Sequence, residues 1–131
     1  MSQAKLSLAS NIATGIVAIV LILAGALKLI GVGAEDMVEG LENARLIQHL
    51  HLISVTAIVC GSLLLIPPLK EFGVLMATAY WGGAIVAHLT YNDSFAMPAT
   101  FLSILWLGVL LRSRWVNERF ARHSSVTNVN N

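Results

Sequence analysis

The chain reads as four apolar runs separated by short polar or proline-marked breaks. The first is "LASNIATGIVAIVLILAGALKLI", residues 8–30, closed by "GVG". The second covers residues 46–66 and stops at Pro67-Pro68, where the missing N–H and the ring clash end a helix. The third covers 72–89 and the fourth 95–111, with Pro98 near its start, where an absent N–H costs least. A bilayer core about 30 Å thick takes about 20 apolar residues per helix, so each run has nearly the length of one crossing. The last two are somewhat short and should tilt or snorkel at their ends.

The alternatives fit this pattern less well. No run alternates with a period of two, and an open sheet edge cannot lie in lipid. A water-soluble bundle needs a polar stripe on every helix, and "IVAIVLIL" at 16–23 has none. The expected fold is all-α: a four-helix transmembrane bundle, up-down-up-down, between an N-terminal tail (1–7) and a basic, then polar, C-terminal tail (112–131).

Composition strengthens the reading. Of the 131 residues 56% are hydrophobic and 11% charged, against about 25% charged in a soluble domain; mean hydropathy is +0.77. The net charge of +1 gives no pull toward nucleic acid, so the expected partners are the lipid bilayer and another membrane protein or a second copy. Cys60 stands alone and inside an apolar run, which excludes an internal disulfide and a C-x-x-C redox pair and leaves it as a small packing residue.

Charge placement sets the orientation. Arg112, Arg114, Arg119 and Arg122 crowd the C-terminal tail, and Glu35, Asp36, Glu39 and Glu42 outweigh Arg45 between the first two runs. The arginines should face the cytoplasm, and an even number of crossings puts Lys5 and the N-terminus there too. Ala24-Gly25-Ala26 loosely resembles a signal-peptidase site, but the apolar stretch is long for a signal peptide and a retained helix is expected. "RSRWVNERFAR" suits either an interfacial segment or a plain basic anchor, and "HSSVTNVNN" reads as disordered.

Helices in lipid associate by close packing, so small residues collect where they meet. Spacings of three and four put Gly73, Ala77, Tyr80, Ala84, Ala87 and Tyr91 on one face of the third helix, with Gly83 and Ala87 beside it as a small-xxx-small pair. Gly15, Ala18, Ile22, Gly25 and Leu29 make a similar face on the first. Candidate chemistry gathers at the predicted outer end: Lys28, His49, His88 and Tyr91, with His51 and Asp93 near by. Ionisable groups at that depth are costly unless paired, hydrated or functional. His49 and His51 lie about 200° apart around a helix, so no metal site is expected. A neutral histidine beside a lysine could instead bond the carbonyl of a lipid-soluble ligand such as a quinone. No nucleophilic triad, phosphate-binding glycine loop or H-E-x-x-H is present. A pore would need polar residues along its length, and Asn11, Thr14, Thr56, Ser62, Thr78 and Ser103 are sparse and scattered.

"AGALKLIG" at 24–31, "GSLLLIPP" at 61–68, "EFGVLMATAYWGGAIVAHL" at 71–89 and "LWLGVLLR" at 105–112 together resemble the DoxX-like family of small four-helix membrane proteins. Gly25, Lys28, Gly73, Tyr80 to Ala84 and His88 carry the likeness. Pro68-Leu69-Lys70 departs from the Arg-Thr-like turn common in that family. The resemblance implies fold and location above all: a multi-pass protein of a bacterial-type inner membrane, both termini cytoplasmic. The small-residue faces point to an accessory or partner-binding subunit of a membrane complex; some relatives of the resembled family are associated with quinone-linked sulfur oxidation, with oxidative-stress complexes or with membrane-protein assembly, and many have no known role. A quinone- or lipid-binding, redox-linked protein is the alternative.

Overall fold

A computed structural model describes residues 3–33, 35–90 and 92–113. Ala34, Tyr91 and the tail from residue 114 onward, including the arginine–aromatic segment and the polar terminus, lie outside the described residues. Those described form five α-helices and no strand: α1 (Gln3–Ile30), α2 (Glu35–Asn43), α3 (Leu50–Leu65), α4 (Lys70–Thr90) and α5 (Ala96–Arg112). Short 3₁₀ turns precede α3 (Ile47–His49) and α4 (Pro67–Leu69). By length and composition three helical stretches can cross a membrane, Ala4–Ile30, Ile47–Leu65 and Pro67–Thr90, and α5 is a shorter apolar helix.

Two differences from the sequence reading have local causes. α1 begins at Gln3 rather than at residue 8, because nothing in "QAKLS" breaks a helix. The acidic connector is itself helical. Glu35 and Asp36 occupy the first turn of α2, where carboxylates meet the positive end of the helix dipole. Met37, Val38 and Leu41 are half-buried while Glu35, Asp36, Glu39 and Glu42 are exposed. The helix closes with Leu46 N–H on Leu41 C=O and Arg45 N–H on Glu42 C=O, a Schellman end in which Arg45 (φ 57°) takes the left-handed place usually given to glycine.

The other boundaries follow expectation within a few residues. Gly31 (φ 74°) ends α1 with its N–H on Leu27 C=O. Ile66 is extended (ψ 111°) before Pro67, as the proline ring requires. Pro98 sits in the first turn of α5, whose N–H groups have no helical partner.

α1 packs against α3 and α5, and α4 against the same two helices. α1 and α3 run antiparallel, since Gly25 meets Ser54 while Ala18 meets Gly61; Trp81 of α4 stacks on Phe101 of α5, and Ser10 of α1 meets Gly108 of α5. Between them lies one cluster of Val17, Ala18, Leu21, Ala57, Cys60, Leu64, Val74, Ala77, Trp81 and Leu105.

The outer surface differs from that of a water-soluble bundle. Ser10, Thr14 and Ser54 are buried, whereas Leu8, Ile12, Ile16, Ile19 and Leu23 run as an exposed stripe along α1. Leu52, Val55 and Val59 on α3, Leu75, Val86 and Leu89 on α4, and Leu107 and Leu110 on α5 are exposed as well. Soluble monomers rarely expose apolar area on that scale. With three helices long and apolar enough to cross a membrane, this outward-facing apolar surface fits a membrane protein.

Candidate functional sites at the two ends of the helices

The residues expected to form a site at one end are only partly brought together. Lys28, in the last turn of α1, points inward, and its Nζ donates to the Tyr80 hydroxyl at 3.3 Å, joining α1 to α4. This is the first tyrosine of the small-residue face expected on that helix. The Tyr80 ring lies edge-on to Trp81, centroids 5.6 Å apart, and Trp81 stacks on Phe101 of α5 at 5.2 Å. Trp81 is 4% exposed, and its Nε1 meets no acceptor among the described residues.

His88 lies in the last turn of α4, its Nδ1 3.1 Å from Asp93 Oδ2. The chain folds back there, with Asp93 N–H on His88 C=O and Asn92 at φ 58°. His49 is exposed in the turn before α3, its Nε2 3.3 Å from Gln48 Nε2; it is no part of the Lys28–Tyr80 pair. Tyr91 is outside the described residues. Among the described residues no three His, Cys, Asp or Glu side chains gather as a metal would need.

Of the small residues expected at helix contacts, Gly25, Gly73 and Ala77 pack as such. A Cβ on Gly25 would fall 2.5 Å from Ser54 O, and one on Gly73 2.8 Å from the Leu63–Leu64 peptide; Ala77 is fully buried. Ala84 and Ala87 are half-buried. Gly15 and Gly83 correct the reading: a Cβ on either would meet nothing within 4 Å, and so would one on Gly82. The helical periodicity was right, but it does not say which of two adjacent faces turns inward. Gly61 and Gly108 carry contacts that pattern-reading missed, at 2.6 Å from Ala18 O and 3.1 Å from Thr14 Cγ2.

The opposite end holds what the sequence reading did not assemble. Ser7, Ser10, Asn11 and Thr14 recur at spacings of three, one and three, a polar stripe on the first half of α1. Ser10 Oγ donates to Gly108 C=O of α5 at 2.6 Å, and Thr14 Oγ1 to Ser10 C=O at 2.9 Å. Asn11 Oδ1 accepts from Lys70 Nζ at the start of α4, at 2.9 Å. Arg112, at the end of α5, stands 3.6 Å from Glu71, too far for a hydrogen bond. A cleft of about 510 Å³ opens among Ser7, Asn11, Thr14, Gly15, Leu64, Leu65, Pro67, Lys70 and Arg112. A second cavity of about 190 Å³ shares Thr14, Lys70 and Arg112 with it. The stripe was legible at helical spacing; the cations that complete it come from the starts and ends of other helices.

No protein-family model, curated protein or solved structure matches the chain.

Proposed function

We propose that this chain is a small multi-pass membrane protein in which α1, α3, α4 and α5 each cross the bilayer, up-down-up-down. On this reading it is an accessory subunit that docks against another membrane protein, or a second copy of itself, through the outer face of α4. Both termini and the arginine-rich tail lie on the cytoplasmic side of a bacterial-type inner membrane, and α2 lies along the outer surface. The DoxX-like resemblance points the same way. The helix contacts support the four-crossing arrangement, and at about 1.5 Å per residue the 17 residues of α5 come close to the hydrocarbon thickness.

One observation carries the docking role: the divided fate of the helical glycines. Gly25, Gly61 and Gly73 each bring a neighbouring helix within a distance that forbids a side chain, and Gly108 sits tightly against α1, whereas Gly82 and Gly83 face open space. With Ala79 they form a shallow strip between exposed Leu75 and Val86. In lipid such a strip lets another helix come close, and among the described residues nothing packs on it. The test is native mass spectrometry of the full-length protein in mild detergent. Wild type should carry a partner or a second copy, and Gly83→Leu should release it without lowering the melting temperature. A wild-type protein that emerges alone and monomeric defeats the reading.

A second reading, a quinone- or lipid-binding redox-linked protein, rests on Lys28, Tyr80 and Trp81. A quinone's carbonyls need N–H or O–H donors in a dry site, and this cluster offers an ammonium, a hydroxyl and an indole N–H without an acceptor. Retention of quinone through purification, lost in Lys28→Met, would support it. Equal retention in Lys28→Met and His88→Ala would remove it.

A further inference from the structure

We infer that the cleft between the first half of α1, the start of α4 and the end of α5 is a binding site for a phosphate-bearing amphiphile, an anionic phospholipid of the cytoplasmic leaflet. The cleft has two unlike walls. One carries Lys70, Arg112 and Asn11, and the other is apolar, built from Leu64, Leu65 and Pro67. Lys70 Nζ has three N–H groups, of which Asn11 Oδ1 takes one at 2.9 Å, so its orientation is fixed while donors remain for a ligand. Arg112 Nη2 forms a loose, exposed ion pair with Glu71 Oε1 at 3.6 Å, which leaves most of the five donors of its planar fork for a phosphate oxygen pair. Counting Glu71, which lines the adjoining cavity, the three charged groups sum to +1. The roughly 510 Å³ available accommodates a headgroup together with the upper part of its glycerol backbone.

The apolar wall decides what bears the phosphate. Leu65 is exposed and continues into the lipid-facing surface of α3. An acyl chain leaving the cleft along that wall stays in hydrocarbon, while the headgroup stays at the depth where cations at helix ends meet anionic lipid. A fully soluble phosphate compound would leave the exposed Leu65 without a partner.

The experiment compares retention of phosphatidylglycerol and phosphatidylcholine on the full-length protein by native mass spectrometry, with inorganic phosphate as a separate competitor. Wild type should prefer phosphatidylglycerol. Lys70→Gln and Arg112→Gln should each reduce that preference about fivefold, the usual worth of one basic residue at an anionic surface, and Arg112→Lys should keep most of it. Lys5→Gln, which removes an equal charge from α1 outside the cleft, should change nothing. Phosphatidylglycerol retained against millimolar phosphate supports the site with a lipid as bearer; displacement by phosphate supports the same site with a soluble bearer. Equal retention of the two lipids by wild type, or a Lys5→Gln loss as large as that of Arg112→Gln, overturns the proposal.

Discussion

Replacing Gly25 by alanine should separate α1 from α3 and destabilise the protein, although the same change elsewhere on these helices stabilises it. A Cβ at Gly25 would lie 2.5 Å from Ser54 O, 2.7 Å from Ile58 Cγ1 and 3.3 Å from Ala57 Cβ. Ordinary contact begins at 3.4 Å, so relieving the approach to Ser54 O needs about 0.9 Å of movement, and a backbone oxygen in mid-helix cannot swing aside. Gly61 on α3 mirrors this, 2.6 Å from Ala18 O and 2.7 Å from Ile22 Cγ1, so the interface is clamped at two levels by one glycine from each helix. A gap approaching 1 Å forfeits a quarter to a half of the dispersion well of each contact pair, and overpacking of this kind costs about 1–3 kcal/mol. The gain in helix propensity of about 1 kcal/mol leaves a net loss of about 2 kcal/mol at the upper end. At Gly82 the space is open, and alanine should gain about 0.5–1 kcal/mol. Reversible unfolding in detergent, followed by circular dichroism, measures both. If Gly25→Ala and Gly61→Ala unfold at the same midpoint as Gly82→Ala, the close helix approach is not what holds α1 to α3, and the packing argument fails.

Three further outcomes are expected. Ser10→Ala removes a buried bond to Gly108 C=O between chain-distant helices and should cost about 0.5–1.5 kcal/mol. Ser103→Ala, whose exposed hydroxyl bonds only its own helix at Ala99 C=O, should stay within about 0.5 kcal/mol; equal effects would contradict the α1–α5 contact. A double-mutant cycle on Lys28→Met and Tyr80→Phe should return a coupling of about 0.6 kcal/mol, the usual worth of a polar contact between helices in lipid, and zero coupling would dissolve the pair. With Cys60 replaced by serine, a cysteine at Glu39 should react with a membrane-impermeant maleimide on intact cells and one at Lys5 should not; the reverse pattern inverts the topology.

The apolar runs, the stop at Pro67-Pro68 and the tolerance for Pro98 were legible because each depends on covalent chemistry or local periodicity. α2 was not: its acidic residues were read as a charged loop, while the half-buried Met37, Val38 and Leu41 give it a face that only three-dimensional placement shows. Lys28 stands out in the sequence as an ionisable group near the end of the first run, but its partner Tyr80 does not, since a lysine in the last turn of α1 can reach inward as easily as it can snorkel. His49 was grouped with Lys28 because both fall near one membrane face; being at one level does not mean being on one side, and the turn before α3 leaves His49 exposed. The stripe from Ser7 to Thr14 obeyed the helical period, yet its meaning depends on Lys70 and Arg112, which lie far along the chain.

These mismatches share a physical origin in the solvent. In water the pattern of large apolar side chains reports the core directly, because burial of apolar area is the driving force. In lipid both sides of a helix are apolar, and Ile12, Ile16 and Ile19 can face outward at no cost. The residues that decide helix placement are then the small and the polar ones. Gly25 and Gly61 allow two backbones to touch, Ser10 reaches another helix's carbonyl, and Lys28 finds a hydroxyl rather than remain an unpaired charge. A glycine with no such contact among the described residues, or a cation only loosely paired, therefore marks where something else is expected to sit. Gly82 and Gly83 mark one such place on the outer face of α4, and Arg112, 3.6 Å from Glu71, marks the other beside Lys70. The first asks for a helix because it offers close approach, and the second asks for an anion because two cations there face one carboxylate.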